Sequence, residues 1–363
     1  MKSVLVDASP LLESHWTGIP VFTARLLRLI LDDPDIDPAF MIHGRPIKRE
    51  PLLQALALRT GVYLRSAYEQ GICIDRSGGR SFEKALYPSV KTAFDFVPRE
   101  ASVIHDLTTI MTPEFHVEDN ISYHRNNIAR EVGTNEITFA TSEATASDIS
   151  HYLGVPRSKT RVAYQFVDWP ADYPLMYRSR YPSDTTLPYV LVIGTIEPRK
   201  NLNLVFSALE EIFKIDDELK VLVLGKPGWH LDQALAQDVK PFIETGRLRF
   251  TGFVSEYTKY CLLRLCRFTV FPSLIEGFGI PVLESLTVGR PVLASFSSSI
   301  PEVGEDAVTY FDPLSKEDFV LAFKRLHNEV INNPMGLKQA ANTVAARFTD
   351  KNFFTPFRQW ILN

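Results

Sequence analysis

Two glutamates, Glu276 and Glu284, stand at the ends of the segment EGFGIPVLE. The two glycines let the backbone approach a ligand closely, and Pro281 suits the first turn of a helix because its missing amide hydrogen would be unpaired there. Free N–H groups at the start of a helix attract anions. Carboxylates on both sides of an anion could accept hydrogen bonds from hydroxyl groups, a layout that matches ribose, diphosphate and sugar. An ordinary strand-to-helix turn, with Glu276 solvated and Glu284 favouring the helix dipole, is the alternative.

Two adjacent cations, Arg199 and Lys200, lie in the segment IGTIEPRKN, after the apolar run YVLVIG and before a helical pattern. Cations at the end of a strand could neutralise a diphosphate, and the arginine guanidinium can bind two oxygens at once. A solvated loop with ordinary surface charges is the alternative for this segment taken alone. Together with the glutamate motif, the cations predict a site for a nucleotide diphosphate sugar.

Strands that alternate with helices must position these motifs. Apolar runs such as SVLVDAS and SVIHDL in the first half, and YVLVIG, KVLVLG and PVLAS in the second, are separated by amphipathic helical patterns. This alternation predicts parallel sheets with helices on both faces. Ligands of such sheets bind beyond the carboxyl ends of the strands, so functional residues are expected directly after strands.

A stretch rich in proline and polar residues interrupts the alternation and predicts a linker. We predict an N-terminal domain over residues 1–168, a linker over 169–188, a C-terminal domain over 189–345, and a C-terminal helix over 346–363 that docks on the N-terminal domain. The length of 363 residues agrees with two domains. Two such domains in tandem usually enclose a cleft.

Composition argues against several classes of protein. A net charge of -4 disfavours a general nucleic-acid binder. Cys73, Cys261 and Cys266 fit neither a disulfide framework nor a zinc site. The first residues, MKSVLVDASPLL, indicate a strand and not a signal peptide, and no apolar run reaches the roughly 20 residues of a membrane-spanning helix. We expect a cytoplasmic protein, with peripheral contact at the inner face of the membrane left open.

The segments GTIEPRKNL, VLVLGKPG, RLRFTGFVSE and the two-glutamate motif occur in the order used by retaining glycosyltransferases of the GT-B fold. The sequence resembles their group 1 (family 4) type, which includes bacterial mannosyltransferases. The resemblance is strong over residues 189–329 and weaker but continuous in the first half. It implies an α/β fold of two Rossmann-like, doubly wound domains that face an inter-domain cleft, with the acceptor on the first domain and the donor on the second.

The resemblance also implies roles for the residues of the glutamate motif. Glu284 would bind the donor ribose. Glu276 would hold the donor sugar, together with the backbone of Phe278, Gly279 and Ile280.

Lys200 would contact the donor diphosphate. Many relatives have an arginine at the donor-binding position that is Thr195 in this chain, so we assign the second phosphate-binding cation to Arg199. The base would lie near two pairs of residues that follow adjacent strands, namely Gly225 with Lys226 and Phe253 with Val254.

Two residues of the first domain, Gly18 and His105, complete the implied site. Gly18, in TGIP, matches a glycine loop that approaches the donor phosphates. His105, in VIHDL, lies where the family places a histidine close to the donor sugar, although a lone histidine is by default a structural hydrogen-bonding residue. Asp106 is expected to orient a loop or His105 and not to act as a base.

Two other stretches allow opposing interpretations. Asp35 and Asp37 form a D-x-D pattern, which would suggest a metal-dependent GT-A enzyme, but prolines enclose it and we interpret it as a solvated acidic loop. We therefore expect no metal and no other cofactor. The amphipathic segment over residues 50–71, with Arg59 and Arg65 near its apolar face, either packs in the core or docks on a membrane or lipid acceptor.

The predicted activity is transfer of a sugar, with GDP-mannose or a related GDP-sugar preferred as donor, to a hydroxyl of a glycan or glycolipid in surface polysaccharide synthesis. No second nucleophile is evident in the sequence, so we favour same-face attack assisted by the departing phosphate. A nucleotide-sugar-binding subunit without catalysis is the alternative, supported by Thr195. A dehydrogenase is disfavoured because no G-x-G-x-x-G follows a predicted strand.

Overall fold

The computed structural model describes residues 1–75, 81–91, 93–116, 118–182, 186–194, 196–225 and 239–363. The chain divides into two compact units. The N-terminal unit comprises Met1–Gln165 and Asp350–Asn363, and the C-terminal unit comprises Phe166–Thr349. Predicted site residues Thr195 and Lys226 lie outside the described residues.

The N-terminal unit is built on a seven-stranded sheet. Its strands are β1 (Lys2–Asp7), β2 (Ile36–Ile42), β3 (Arg45–Ile47), β4 (Lys84–Tyr87), β5 (Arg99–Ile104), β6 (Asn135–Ala140) and β7 (Thr160–Val162). They are arranged in the order β3-β2-β1-β4-β5-β6-β7. All neighbours are parallel except the pair β2 and β3. The helices are α1 (Gly18–Asp32), α2 (Arg49–Leu58), α3 (Val62–Glu69), α4 (Thr108–Met111), α5 (Glu118–Gly133) and α6 (Glu143–Leu153).

The C-terminal unit is built on a six-stranded, fully parallel sheet. Its strands are β8 (Tyr189–Ile193), β9 (Lys220–Leu224), β10 (Leu248–Gly252), β11 (Thr269–Phe271), β12 (Val292–Ser295) and β13 (Val308–Phe311), in the order β10-β9-β8-β11-β12-β13. The chain winds outward from β8 to β10 and then returns to β11. The strand order thus reverses between β8 and β11, which is the place where open α/β sheets bind ligands.

Helices connect these strands and end the chain. They are α7 (Tyr173–Arg180), α8 (Leu202–Ser207), α9 (Leu209–Ile215), α10 (Lys240–Glu244), α11 (Glu256–Leu265), α12 (Ile280–Thr287), α13 (Ile300–Gly304), α14 (Lys316–Asn332), α15 (Pro334–Ala345) and α16 (Asp350–Leu362). Short 3-10 helices span Ser9–Leu12, Pro113–Phe115, Arg157–Lys159, Pro198–Lys200 and Glu305–Ala307. None of the helices in the described ranges has the length and apolar character that crossing a membrane requires.

The stretch predicted as a linker, residues 169–188, contains helix α7 instead. Pro174 lies in the first turn of this helix, where proline is favoured. Tyr177 is 2% exposed and packs in one cluster with Tyr189 and Tyr260. Aromatic burial therefore makes this stretch part of the C-terminal unit, and a proline-rich composition alone was a misleading signal.

Helix α16 packs on the sheet of the N-terminal unit. The ring of Phe357 lies 4.3 Å from that of Phe139, and Phe353 lies 5.1 Å from Phe22, measured between centroids. The ammonium group of Lys84 donates hydrogen bonds of 2.8 and 3.0 Å to the carbonyls of Trp360 and Ile361 at the end of the helix. Aromatic burial and a cation at the carbonyl end thus hold the last helix.

The acidic D-x-D stretch is held by this same helix. Arg358 donates to Asp33 at 2.6 Å and to Asp35 at 2.5 Å. The Asp35 side chain is 63% exposed, as predicted for a solvated acidic segment, although it also forms an ion pair. Asp37 lies in strand β2 and not in a loop, so the predicted loop is too long. Among the described residues, no group of three or more His, Cys, Asp or Glu side chains is placed to hold a metal.

Truncating Phe357, whose side chain is fully buried, should destabilise the N-terminal unit by about 3–5 kcal/mol because it leaves a cavity between α16 and the sheet. Urea unfolding of Phe357→Ala would measure the loss. Gln359→Ala on the exposed face of the same helix is the matched control, with an expected change within about 0.5 kcal/mol. Equal effects of the two substitutions would contradict the docking of this helix.

Candidate active site

The two predicted motifs meet at the carboxyl ends of β8 and β11. Arg199 and Lys200 lie in the 3-10 helix that follows β8, and Glu276 lies in the loop between β11 and α12. Because β8 and β11 are parallel neighbours, both loops leave the sheet at the same edge. The amide of Leu274 donates a 2.8 Å hydrogen bond to the carbonyl of Arg199 and joins the loops directly.

Glu276 is buried between two cations. Its Oε1 atom lies 2.6 Å from Lys200 Nζ, and its Oε2 atom lies 3.1 Å from Arg199 Nη1. Arg199 Nε also lies 2.6 Å from Glu197 Oε1, and Lys200 Nζ lies 5.3 Å from the ring centre of Phe271. Glu276 is 9% exposed, so the interpretation of this residue as a solvated turn glutamate is wrong. Each of its oxygens has its own cation.

This arrangement shifts the pKa values of the cluster. Burial by itself would raise the pKa of Glu276, but the charges of Lys200 and Arg199 outweigh burial and lower the pKa to about 2. Burial lowers the pKa of the Lys200 ammonium group, and the charge of Glu276 opposes that shift. Burial raises the pKa of Glu197, against the effect of Arg199. At neutral pH the carboxylate of Glu276 is therefore firmly ionised.

The backbone around Glu276 is fixed by serines that follow β12. The amide of Glu276 donates a 2.8 Å hydrogen bond to Ser298 Oγ, and Ser299 Oγ donates a 2.9 Å bond to the carbonyl of Glu276. Three residues after Glu276, Gly279 is the N-cap residue just before helix α12 and adopts φ +96°, a conformation that strains other residues. Phe278 is 3% exposed. The loop thus presents the amide end of α12 next to the ion-paired carboxylate.

Glu284 lies inside helix α12 and is also paired. It is 7% exposed, and its Oε1 atom forms an ion pair with Lys259 Nζ of helix α11. The ammonium group lies 5.4 Å from the ring centre of Trp169, whose indole N–H donates a 2.9 Å bond to the Thr287 hydroxyl. This pair is a second, separate buried ion pair of the motif.

The predicted base-binding residues follow two other strands of the same sheet. Gly225 comes directly after β9, and Phe253 and Val254 come directly after β10. Phe253 is 56% exposed, whereas Val254 packs against an aromatic cluster. More than half of the Phe253 residue is thus accessible to solvent, whereas Val254 contributes to the packing of the C-terminal unit.

The predicted site residues of the N-terminal unit lie at strand and helix ends. Gly18 is the first residue of α1, with φ +45° and open space where a Cβ would project. His105 follows β5, and its Nε2 atom lies 2.9 Å from the carbonyl of Pro88. Since a carbonyl can only accept, this contact places a proton on Nε2. Burial lowers the pKa of His105, so the ring is neutral at pH 7. Phe22 contacts the ring edge-on at 4.7 Å.

Asp106 forms hydrogen bonds within its own loop. Its Oδ1 atom accepts hydrogen bonds from the amide and the hydroxyl of Thr108, at 3.0 and 2.6 Å. The residue therefore orients the loop between β5 and α4, as the sequence predicts.

The sequence motifs did not reveal three partners of the site, Glu197, Lys259 and Ser298. Glu197 lies within IGTIEPRKN, and its place two residues before Arg199 was the available signal. Lys259 lies in an ordinary amphipathic helix and has no distinguishing pattern. The serine run after β12 was a usable signal, because β12 neighbours β11 and residues that follow neighbouring strands meet.

Solved structures define the class of fold. The crystal structure of Anabaena HepE in complex with UDP and glucose matches this chain with a TM-score of 0.65, over 99% of both chains, at 14% sequence identity. Such low identity concerns the fold alone. It confirms the predicted GT-B architecture of two Rossmann-like units.

Residues 176–343 match the family model of glycosyl transferases group 1. The chain is 28% identical over 228 residues to O-antigen chain mannosyltransferase B of Escherichia coli, covering 59% of this chain and 58% of that protein. It is 29% identical over 285 residues to the serotype-specific mannosyltransferase WbdA of Escherichia coli, covering 73% of this chain and 33% of that protein. The matched regions thus span less than two thirds of either relative. These similarities confirm the resemblance to group 1 glycosyltransferases and bacterial mannosyltransferases.

The low pKa of Glu276 predicts a pH-dependent contribution to stability. Above about pH 4.5 the carboxylate is ionised in both the folded and unfolded states, and its ion pairs contribute fully. Between pH 4.5 and 2 the unfolded state binds the proton more readily, so a contribution on the order of 3 kcal/mol is lost. Glu276→Gln should therefore be clearly less stable than the parent at pH 7, and this difference should narrow as the pH falls below 4.5.

Urea unfolding of the parent and of Glu276→Gln at pH 7, 5, 4 and 3 would measure how far the difference between their free energies of unfolding decreases. Glu143→Gln is a control that removes an exposed ion pair with Arg157, whose contribution should stay within about 1 kcal/mol. A difference between parent and Glu276→Gln that does not change over this pH range would contradict the assigned ion pairs.

Proposed function

We propose that this protein is a retaining, metal-independent glycosyltransferase that transfers a sugar from a nucleotide diphosphate sugar to a hydroxyl of a glycan or glycolipid. The observation that carries the proposal is the buried cluster of Arg199, Lys200 and Glu276 at the reversal of strand order, just before the amide end of α12. Two cations and a helix start supply positive charge for a diphosphate. A carboxylate beside them can accept hydrogen bonds from sugar hydroxyls.

In the proposed reaction, the bond between the anomeric carbon and the diphosphate oxygen breaks while negative charge grows on the diphosphate. Lys200, Arg199 and the start of α12 would stabilise that charge, and their burial strengthens the effect because little water screens it. The acceptor oxygen bonds to the anomeric carbon on the same face, and its proton passes to the departing phosphate oxygen. Glu276 would orient the sugar. His105, protonated on Nε2, would offer Nδ1 as an acceptor for a sugar hydroxyl.

For the donor we propose GDP-mannose or a related GDP-sugar. The support is the similarity to two bacterial mannosyltransferases. The HepE structure contains UDP, which makes UDP-sugars the natural comparison. Glu284 would bind the ribose, and the exposed ring of Phe253 would stack on the base.

For the acceptor we propose a growing surface glycan, in line with the O-antigen relative, at the inner face of the membrane.

Helices α2 and α3 bury one face, as the core-packing interpretation predicts, but Leu53, Leu58 and Val62 remain 42%, 59% and 58% exposed. Such a surface, with Arg59 at its edge, suits an anionic lipid layer. Co-sedimentation with anionic vesicles should fall several-fold on Leu58→Ser and Val62→Ser substitution; absence of co-sedimentation by the parent would reject this contact.

A thermal-shift screen tests the donor site. GDP and GDP-mannose at about 100 times their dissociation constants should stabilise the protein by about 2.7 kcal/mol, which corresponds to roughly 5–10 °C for a unit of this size. The shift should exceed that with GMP, because the cations would bind the diphosphate, and the proposed preference for a GDP-sugar predicts a smaller shift with UDP. Lys200→Ala should remove most of the shift, while Lys240→Ala, on an exposed helix with a 3.9 Å contact to Glu244, should retain it.

Turnover separates the enzyme from a nucleotide-sugar-binding subunit. Donor consumption with lipid-linked glycan acceptors, and an α-configured product from an α-linked donor, would support the proposed reaction. Binding of donor without turnover against any acceptor would favour the subunit. The absence of a thermal shift with every nucleotide diphosphate would contradict both the enzyme and the binding subunit.

A further inference from the structure

Four serines in the segment over residues 295–299, SFSSS, bond to the loop that carries Glu276. The three backbone pairs between β11 and β12 end at Phe271 and Ala294. Beyond that point, serine hydroxyls continue the connection between the two chains. The bonds run from Ser295 Oγ to Ser273 O at 2.5 Å, from Ser297 Oγ to Leu274 O at 2.5 Å, from Glu276 N to Ser298 Oγ at 2.8 Å and from Ser299 Oγ to Glu276 O at 2.9 Å.

Ser298 adopts an unfavourable backbone conformation at this place. Its φ is +46°, in the left-handed region, which costs a residue with a Cβ roughly 1–2 kcal/mol. Ser298 is exposed, so core packing does not demand this conformation. In this conformation its hydroxyl oxygen accepts a hydrogen bond from the amide of Glu276. Backbone strain that persists at the edge of a site points to a functional constraint.

We propose that Ser298 and Ser299 are positioning residues that fix the peptide groups on both sides of Glu276. Ser298 accepts from the amide of Glu276, and Ser299, which is fully buried, donates to its carbonyl. With both peptide groups held, the Glu276 side chain has little freedom except its own rotamer. The inference rests on the proposed function, since the carboxylate so fixed is the one that would orient the donor sugar.

Different residues would orient the sugar and bind the nucleotide. The serines contact Glu276 and neighbouring loop carbonyls, whereas the diphosphate would be held by Lys200 and Arg199. Loosening the loop should therefore slow transfer far more than it weakens affinity for a nucleotide diphosphate. A displacement near 1 Å of a positioning group can cost about 100-fold in rate.

Ser298→Gly tests the role, because glycine keeps the positive φ and removes the hydroxyl. We expect kcat to fall roughly 10- to 100-fold, with the dissociation constant for GDP within about twofold of the parent. Ser298→Asn should recover most of the rate, because asparagine tolerates this φ and its side-chain oxygen can accept the Glu276 amide. Ser207→Ala, which removes a hydroxyl bonded to the Leu204 carbonyl at an exposed helix end, is the matched control and should match the parent.

A double-substitution cycle shows whether Ser298 acts through Glu276. In the Glu276→Gln background, Ser298→Gly should slow transfer by less than about threefold, since coupled residues give non-additive effects. Parent-like turnover of Ser298→Gly, equal rates for the Gly and Asn variants, or the same penalty in both backgrounds would each overturn the inference.

A readout without turnover keeps this test independent of the proposed reaction. If the parent turns over no donor, the proposed function fails, and the pH dependence of unfolding still tests the serines. Ser298→Gly should then move the loss of the Glu276 contribution to higher pH, toward the usual pKa of a carboxyl group, because the contacts with Lys200 and Arg199 loosen. An unchanged pH range would overturn the positioning role.

Discussion

The ion pairs of Glu276 with Lys200 and Arg199 are the interaction on which the rest of the site depends. A buried carboxylate without a partner would cost several kcal/mol, so burial and pairing must occur together. The pairing requires β8 and β11 to be neighbours, and it requires both loops to leave the same edge of the sheet. The strand order of the C-terminal unit meets both conditions. The doubly wound topology therefore brings together charges that are 76 or 77 positions apart in the chain.

The balance of charge around this pair explains how it could accept a ligand. The cluster contains two carboxyl groups and two cationic groups, and a hydrogen-bonded loop fixes their positions. They belong to Glu197, Glu276, Arg199 and Lys200. A diphosphate brings additional negative charge, which the amide end of α12 and the same two cations would share. Because Lys200 and Arg199 are already oriented by carboxylates, a ligand would not have to order two long side chains. Preorganisation of this kind lowers the cost of binding.

Much of the fold and part of the candidate site can be predicted from the sequence. The hydrophobic periodicity predicts the strands, and the position directly after a strand indicates Arg199, Lys200 and Glu276 as candidate site residues. Loops that follow parallel strands lie at the same edge of the sheet. The direct pairing of these residues depends on the strand order and was beyond sequence patterns. The sequence pattern predicts a linker where the structure has the helix Tyr173–Arg180, because proline at the start of a helix and proline in a linker look alike without knowledge of the aromatic cluster around Tyr177. Lys259 pairs with Glu284 through packing of α11 on α12, for which the sequence carries no motif.

The electrostatics of Glu276 bear on the stereochemical course of the proposed reaction. A retaining enzyme needs either a nucleophile that forms a covalent intermediate or attack on the face that the leaving group occupies. A carboxylate whose pKa is lowered to about 2 is a weak base, and both of its oxygens are held by cations. Attack on carbon or capture of the acceptor proton would require Glu276 to give up these contacts. The departing diphosphate is the stronger base at pH 7, which supports Glu276 as an orienting group and the phosphate as the proton acceptor.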